Sequence, residues 1–328
     1  MSLKAIASAL GLSVTTVSRA LNGYDDVAEE TRLRIKQEAR RRGYRPNAVA
    51  RRLKTGRANA VGLLFPVTPL PLSGTRFIET MGAIAQTLAR VDVDLLIIAE
   101  DKYDDHRSMQ RMLRTHCIDV LIAAHTKPHD TRLLRLQQLD FPFLALGRSQ
   151  LTTPYAWFDF DHYAGAQLAV AHYAAMGLQR IAWLGSDRDQ SCVSQCREGF
   201  LEAIAQHGLA DDLCRQIAPD RRKGYGLTQT WLALPDPPQA IVADNSMLGD
   251  GAAMALHEAG LLSGPQRIEL MVYDGLPADS MMTVPVASIA LAPPQEVGRQ
   301  VAEMALQLMQ GEAVSALQHL WQPELKLP

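Results

Sequence analysis

Residues 3–23 read LKAIASALGLSVTTVSRALNG, and this stretch decides how the chain begins. Leu3, Ile6, Ala7 and Leu10 recur at helical spacing until Gly11 breaks the run. Ser13 supplies an N-cap for a second helix from Val14 to Leu21, in which Val17, Ala20 and Leu21 share one face. Asn22-Gly23 closes it with a left-handed C-terminal signal. A third helix is predicted from Ala28 to Arg42, with Glu29 and Glu30 in its first turn and Arg40, Arg41 and Arg42 in its last, both complementing the helix dipole. A DNA-recognition helix needs small or polar side chains at its N-terminal end and an apolar far face. Val14, Thr15, Thr16 and Arg19 meet that need: Arg19 can donate twice to a guanine edge, and Val14 and the Thr15 methyl suit thymine methyls. The pattern alone also fits an ordinary three-helix module.

Charge divides the chain at the same place. Residues 1–57 hold 13 Lys/Arg and 5 Asp/Glu, a net of +8, whereas the remainder carries 20 basic and 30 acidic residues, a net of −10. A positive head on an acidic body fits a polyanion partner for the head; a solvated basic helix face fits charge alone equally well. At 328 residues, 47% hydrophobic, the chain is long enough for a small module and a larger body with a sizeable core. No apolar run approaches the ~20 residues of a membrane span, and the first residues lack the pattern of an export signal. Cys117, Cys192, Cys196 and Cys214 form no C-x-x-C pair, so they read as reduced thiols of a cytoplasmic protein.

Residues 45–58 are a basic connector, with Pro46-Asn47 as a helix-start signal before Ala48–Lys54 and Gly56 as its stop. So short a helix is unstable alone, because nucleation is costly. From Ala60 onward, apolar runs at 61–65, 95–99, 120–124, 143–146, 181–184, 240–243 and 270–273 alternate with amphipathic stretches near 76–90, 105–115, 161–177, 195–208, 246–260 and 294–310. That alternation predicts parallel sheets covered by helices on both faces, and the number of strands predicts two subdomains with a cleft between them. The expected organisation is an all-α helix-turn-helix head at 1–45, a hinge at 46–58 and an α/β body at 59–328. Within the body, one subdomain takes about 59–158 and 291–320 and the other about 159–290.

The stretches Leu3–Ala7, Val14–Gly23, Val27–Arg32 and Gly43–Leu53 together resemble the head of the lac/gal repressor family, and the resemblance runs on through the body. It implies that Val14, Thr15 and Arg19 read bases. Ser13, Thr16, Ser18, Asn22, Tyr44 and Asn47 would bond phosphates. The connector would become a minor-groove hinge helix with Leu53 as an apolar wedge, flanked by Ala50 and Lys54; Leu53 packing on the body is the plainer alternative. Val14 departs from the polar residue that some relatives carry, which leaves its target base open. Paired hinge helices imply a homodimer on near-palindromic operator DNA. The lack of a leucine heptad after Leu320 favours a dimer over a larger assembly.

The resemblance likens the body to periplasmic sugar-binding proteins and implies a small-molecule effector, a sugar, in the cleft. It matches Arg197, Asp274 and Asp244 to the effector-binding arginine, aspartate and polar residue, with Phe77 and Arg148 as weaker lining from the other subdomain. Each has a plain alternative: Arg197 as a surface residue on a helix, Asp274 as a turn residue and Asp244 as the cap of the 246–260 helix. Gly147-Arg148, Ala156–Asp161, Gly249–Leu256 and Val272–Pro277 carry the resemblance furthest within the family, and the resemblance through them implies an α-galactoside such as raffinose or melibiose. No nucleotide-binding, hydrolase or metalloprotease motif is present, and His125 and His129, four apart, flank Pro128 in a loop reading. The expectation is a non-enzymatic transcriptional repressor without cofactor or metal, released from its operator by sugar. A ligand that strengthens DNA binding, a non-sugar effector and a solute-binding protein are the alternatives.

Overall fold

The computed structural model describes residues 2–21, 24, 26–44, 56–66, 74–100 and 106–328. The chain divides into two units, Met1–Ala58 and Asn59–Pro328.

The first unit holds α1 (Leu3–Leu10), α2 (Val14–Leu21) and α3 (Glu29–Arg41). Gly11 ends α1 in the left-handed conformation, φ 64°, which costs glycine nothing. Ser13 Oγ accepts from the Thr16 amide at 3.0 Å, so the cap read from the sequence forms. Ile6, Ala7, Val17, Ala20, Val27, Ile35 and Ala39 make a small core that draws one face from every helix. The connector at 45–55, and with it Asn47, Ala50, Leu53 and Lys54, lies outside the described residues, as does Asn22.

The second unit is built on two six-stranded sheets. The first contains β1 (Ala60–Pro66), β2 (Asp94–Glu100), β3 (Val120–Ala123), β4 (Phe143–Leu146), β5 (Ala156–Phe160) and β11 (Gln318–Trp321) in the order β11-β5-β4-β3-β1-β2. The second contains β6 (Ile181–Ser186), β7 (Cys214–Ile217), β8 (Ala240–Ala243), β9 (Glu269–Tyr273), β10 (Ala287–Ala290) and β12 (Glu324–Lys326) in the order β12-β10-β9-β8-β6-β7. All pairings are parallel except β10 with β12.

Helices α4 (Gly74–Ala89), α5 (Arg107–Arg114), α6 (Thr131–Gln138) and α11 (Pro294–Met309) belong with the first sheet. Helices α7 (His162–Ala175) and α8 (Ser191–Gln206) cover one face of the second sheet, and α9 (Arg221–Leu232) and α10 (Ser246–Glu258) cover the other. The alternation along β8 shows why. Ala240 and Val242 pack with α7 and α8, whereas Ile241 and Ala243 pack with α9 and α10, so every residue of the strand is apolar and buried. In the first sheet, Ile84 and Leu88 of α4 and Val297 and Val301 of α11 close over Val61, Leu63, Val120 and Ile122.

The chain crosses between the sheets three times, at 161, at 291–293 and at 322–323. The first crossing comes after Phe160 rather than near 158, because Trp157–Phe160 pair with β11. The third was not legible. Glu324-Leu325-Lys326 has no apolar run, and it joins the second sheet through its antiparallel pairing with β10, with Leu325 packed against the core there. Helices α6 and α9 and strands β5, β7, β10, β11 and β12 likewise went unread.

Candidate functional site

On the head, α2 turns Val17 and Ala20 inward and leaves Val14 and Thr15 exposed, with Thr16, Ser18 and Arg19 half-buried beside them. Of the residues expected to touch DNA, Val14, Thr15, Thr16, Ser18 and Arg19 therefore share the outward side of the helix. Ser13 is committed to the cap, and its hydroxyl also bonds that of Thr16 at 2.8 Å. Arg19 is held by Asp26 at 2.6 Å and lies 5.2 Å from the Tyr24 ring centroid, while its buried Nε has no partner. Tyr44 packs partly on the head core, and its amide donates to the Ala39 carbonyl at 2.9 Å.

In the second unit, a cavity of about 550 Å³ opens between the two sheets at the carboxyl ends of their strands. That is where open parallel sheets receive ligands, since the loops leaving each strand converge there, and the volume is ordinary for a small-molecule site. Loops after β6, β8 and β9 supply Ser186, Arg188, Asp244, Asn245 and Asp274 to its wall. Helix α4 of the first subdomain contributes Arg76 and Ile78. Val193, Met247 and Leu291 provide apolar surface.

Asp274 stands just past β9 in the left-handed region, φ 61°, beside Gly275 at 75°. This turn aims its carboxylate across the cleft, where Arg76 Nη1 donates to it at 2.6 Å. Arg76 also donates to the Ala292 carbonyl in the second crossing. Burial raises the Asp274 pKa from its ordinary value, and the Arg76 charge opposes that rise.

Asp244 is not the cap of α10. Asn245 holds that place, accepting from the Leu248 amide at 3.0 Å. The Asp244 carboxylate instead faces the cavity and accepts from the Ser186 amide at 2.6 Å. Burial pushes it up to about 7, against the pull of that amide and of the Arg188 charge.

The remaining expected residues lie elsewhere. Arg197 is exposed on α8 and interacts with the Cys214 thiol, away from the cavity wall. The reason is helical geometry. Each residue advances ~100° around the axis, and the inward positions of α8 are Val193, Cys196 and Phe200. With the helix read as starting at 195 rather than at Ser191, the phase of that face was lost.

Arg148 is tied to Asp159 at 2.8 Å, lies 5.4 Å from the Trp157 ring centroid and reaches Gln195 at 3.4 Å. Phe77 packs against Phe65 and His125, with ring centroids 5.8 and 5.0 Å away. Neither lines the cavity. The sequence reading missed Arg76, Arg188, Arg221, Asn245 and Asp279, all of which do. Position immediately after a parallel strand was the available signal for Arg188 and Asn245.

His125 is half-buried and drops to about 4 from desolvation, helped by the charges of Arg188 and Arg132. It is therefore neutral at pH 7, and its Nδ1 accepts from the Gln190 amide group at 3.0 Å. Among the described residues, no group of acidic, His and Cys side chains has metal-site geometry, and no helix is long and apolar enough to cross a membrane.

Comparison with known proteins agrees with both units. Residues 2–47 match the model of bacterial regulatory proteins, lacI family, and residues 58–319 match that of periplasmic binding proteins and sugar binding domain of LacI family. The chain is 47% identical to the HTH-type transcriptional regulator RafR of Escherichia coli, over 98% of this chain and 96% of that protein. It is 33% identical to the HTH-type transcriptional regulator AglR of Rhizobium meliloti, over 84% and 78% respectively. Among solved structures, a putative transcriptional regulator from Yersinia pestis superposes with a TM-score of 0.79 at 42% identity, covering 82% of this chain and 96% of that one. The lac repressor dimer bound to operator superposes with a TM-score of 0.83 at 22% identity, covering 99% and 97%, and shows the fold. The chain belongs to the lacI family of bacterial regulatory proteins, and it is a regulator rather than an enzyme.

Proposed function

We propose that this chain is a cytoplasmic homodimeric repressor of sugar-utilisation genes, which its operator holds until a sugar enters the cavity between the two sheets. The observation that carries the reading is that cavity, about 550 Å³ and walled by Arg76, Arg188, Asp244 and Asp274, in a chain whose head is a helix-turn-helix. Charged groups grip the hydroxyls of a polyol through strong hydrogen bonds, and Ile78, Val193, Met247 and Leu291 give its apolar face a floor. A protein of the same fold, at 21% identity and a TM-score of 0.71, was solved as a transcriptional regulator–cellobiose complex, which supports a sugar-sized occupant.

The effector is an α-galactoside such as raffinose or melibiose, the class that the resemblance implies. In the head, Val14, Thr15 and Arg19 read base edges, and Ser13, Thr16, Ser18, Asn22, Tyr44 and Asn47 hold phosphates. Ala50, Leu53 and Lys54 belong to a hinge that enters the minor groove. Residues 1–45 thus form the DNA-binding head, 46–58 the hinge, and the remainder the sensing and dimerising body. Sugar releases the operator only if it binds the released state more tightly. A coupling of roughly 1–3 kcal/mol weakens operator binding about 5–150-fold.

A gel-shift titration of the full chain on a panel of near-palindromic duplexes tests both halves. Selective binding that weakens steeply with salt and is relieved by melibiose or raffinose is the expected result. No preference for any palindrome over bulk DNA overturns the head's role, and indifference of the bound complex to every sugar overturns the effector's.

A further inference from the structure

The cavity wall carries three guanidinium groups, and two are already committed. Arg76 is bound by Asp274 and the Ala292 carbonyl. Arg221 is bound by Asp250 at 2.7 Å and by Asp279, and through them it fixes α9 against α10 and against the segment that follows β9. Arg188 differs. Only its backbone amide is engaged, donating to the Ser186 hydroxyl at 3.2 Å, and no described residue accepts from its guanidinium.

A half-buried guanidinium with five donors and no acceptor is an incomplete arrangement. Its own desolvation disfavours the charge, and the nearby Asp187 and Asp244 charges only partly offset this. Asp244, also on the cavity wall, keeps free acceptor capacity beyond its bonds with the Ser186 amide and the Asn245 side chain. A cation with spare donors and a carboxylate with spare lone pairs, facing one cavity, together suit a pair of adjacent hydroxyl groups: one oxygen accepts from the guanidinium and the next hydroxyl donates to the carboxylate.

We propose that Arg188, on the loop between β6 and α8, is the cation that grips the effector sugar, with Asp244 as its acceptor partner, and that Arg197 has no part in binding. The inference rests on the sugar reading of the cavity given above and replaces the arginine that the resemblance selected. Cys192 and Val193 are the α8 residues on the cavity wall, so that helix offers no cation there. The loop before it supplies one instead.

The test is calorimetric titration of melibiose and raffinose into the full-length wild type, Arg188→Gln, Arg188→Lys and Arg197→Ala, with operator binding in the absence of sugar as the fold control. Arg188→Gln is expected to lose at least tenfold in sugar affinity while binding operator as the wild type does. Arg188→Lys is expected to recover part of that loss, and Arg197→Ala to stay within twofold of wild type. Undiminished sugar binding by Arg188→Gln, or a tenfold loss in Arg197→Ala, overturns the assignment and leaves the sugar reading standing. A wild type that takes up neither sugar, and that no other sugar of a thermal-stabilisation panel stabilises, overturns both. If another panel sugar binds, the same four proteins are compared with that sugar under the same criteria.

Discussion

Asp26→Asn should tighten operator binding, because Asp26 holds Arg19, a residue proposed to read DNA. The two side chains pair at 2.6 Å with 43% and 48% of their surfaces exposed. An ion pair so open to water is worth about 0.2–1 kcal/mol. If Arg19 has to leave Asp26 to reach a guanine edge, the operator complex forfeits that amount, so removing the carboxylate returns about 1.4- to 5-fold in affinity. Tyr24 keeps the guanidinium from wandering in either case, through its ring 5.2 Å away. Deleting an acidic group from a DNA-facing surface also helps for a trivial reason, by lowering repulsion from phosphate. A double-mutant cycle separates the two effects. Fluorescence anisotropy with a labelled operator gives four affinities, for wild type, Asp26→Asn, Arg19→Ala and the double variant. The gain should be larger in the presence of Arg19 than in its absence, and should shrink as salt rises from about 50 to 200 mM. An Asp26→Asn protein that binds no tighter than wild type, or that gains equally in the Arg19→Ala background, refutes the premise that Arg19 must change partners.

Two further outcomes follow from the body. Gly224→Ala should lower the unfolding temperature by several degrees, because a Cβ there would stand 2.6 Å from the Leu248 carbonyl oxygen of the neighbouring helix. Overpacking of this kind costs about 1–3 kcal/mol, or about 2–4 °C per kcal/mol in a domain of this size; an unchanged midpoint in a thermal scan would show that α9 and α10 separate freely. Asp244→Asn should stabilise the sugar-free protein at pH 8. Burial raises the carboxyl to about 7 in the folded state from an ordinary 3.8, so the folded chain holds that proton more tightly and loses stability as pH rises from about 4 to 7. The asparagine has no proton to lose, so its advantage should be largest above pH 7 and should narrow steadily towards pH 4 in denaturant titrations. An advantage that does not vary with pH would refute the raised pKa.

The head and the strand-helix alternation were legible because each depends on a local signal. Gly11, Ser13 and the 3.6-residue spacing of Val17 and Ala20 fix α1 and α2 without long-range information. The buried strands β4 and β8 were read with their observed limits, since both faces of each are covered and the apolar run is continuous. What failed depended on distant partners. Strand β5 carries Asp159 inside a short apolar run, and it takes its place between β4 and β11, the latter more than 150 residues on. Arg76 gave no signal at all, since its role comes from Asp274, 198 positions away. For Arg197 the resemblance supplied a residue type and an approximate place, and the structure sets the residue exposed on α8, off the cavity wall. Asp244 and Asp274 stand on the cavity wall because a strand end fixes position in space as well as in sequence.

The loop that carries Arg188 is also where the two subdomains hold each other. Asp189 reaches Lys127 at 3.4 Å, Gln190 donates to His125 at 3.0 Å, and the Ser191 amide donates to the Thr126 carbonyl at 2.9 Å. All three partners belong to the segment after β3 in the first subdomain. His125 is held neutral by its burial, so its bond to Gln190 does not vary with pH near 7, and Lys127–Asp189 is too exposed to add much. Occupancy at Arg188 therefore acts on a segment whose next three residues are tied across the cleft. On the opposite side, Arg76 engages Asp274 and so bridges the subdomains there as well. A ligand bound among these ties shifts the balance between two arrangements of the subdomains only if its affinity for the two differs, since such a difference is the only quantity through which an effector can shift a conformational equilibrium.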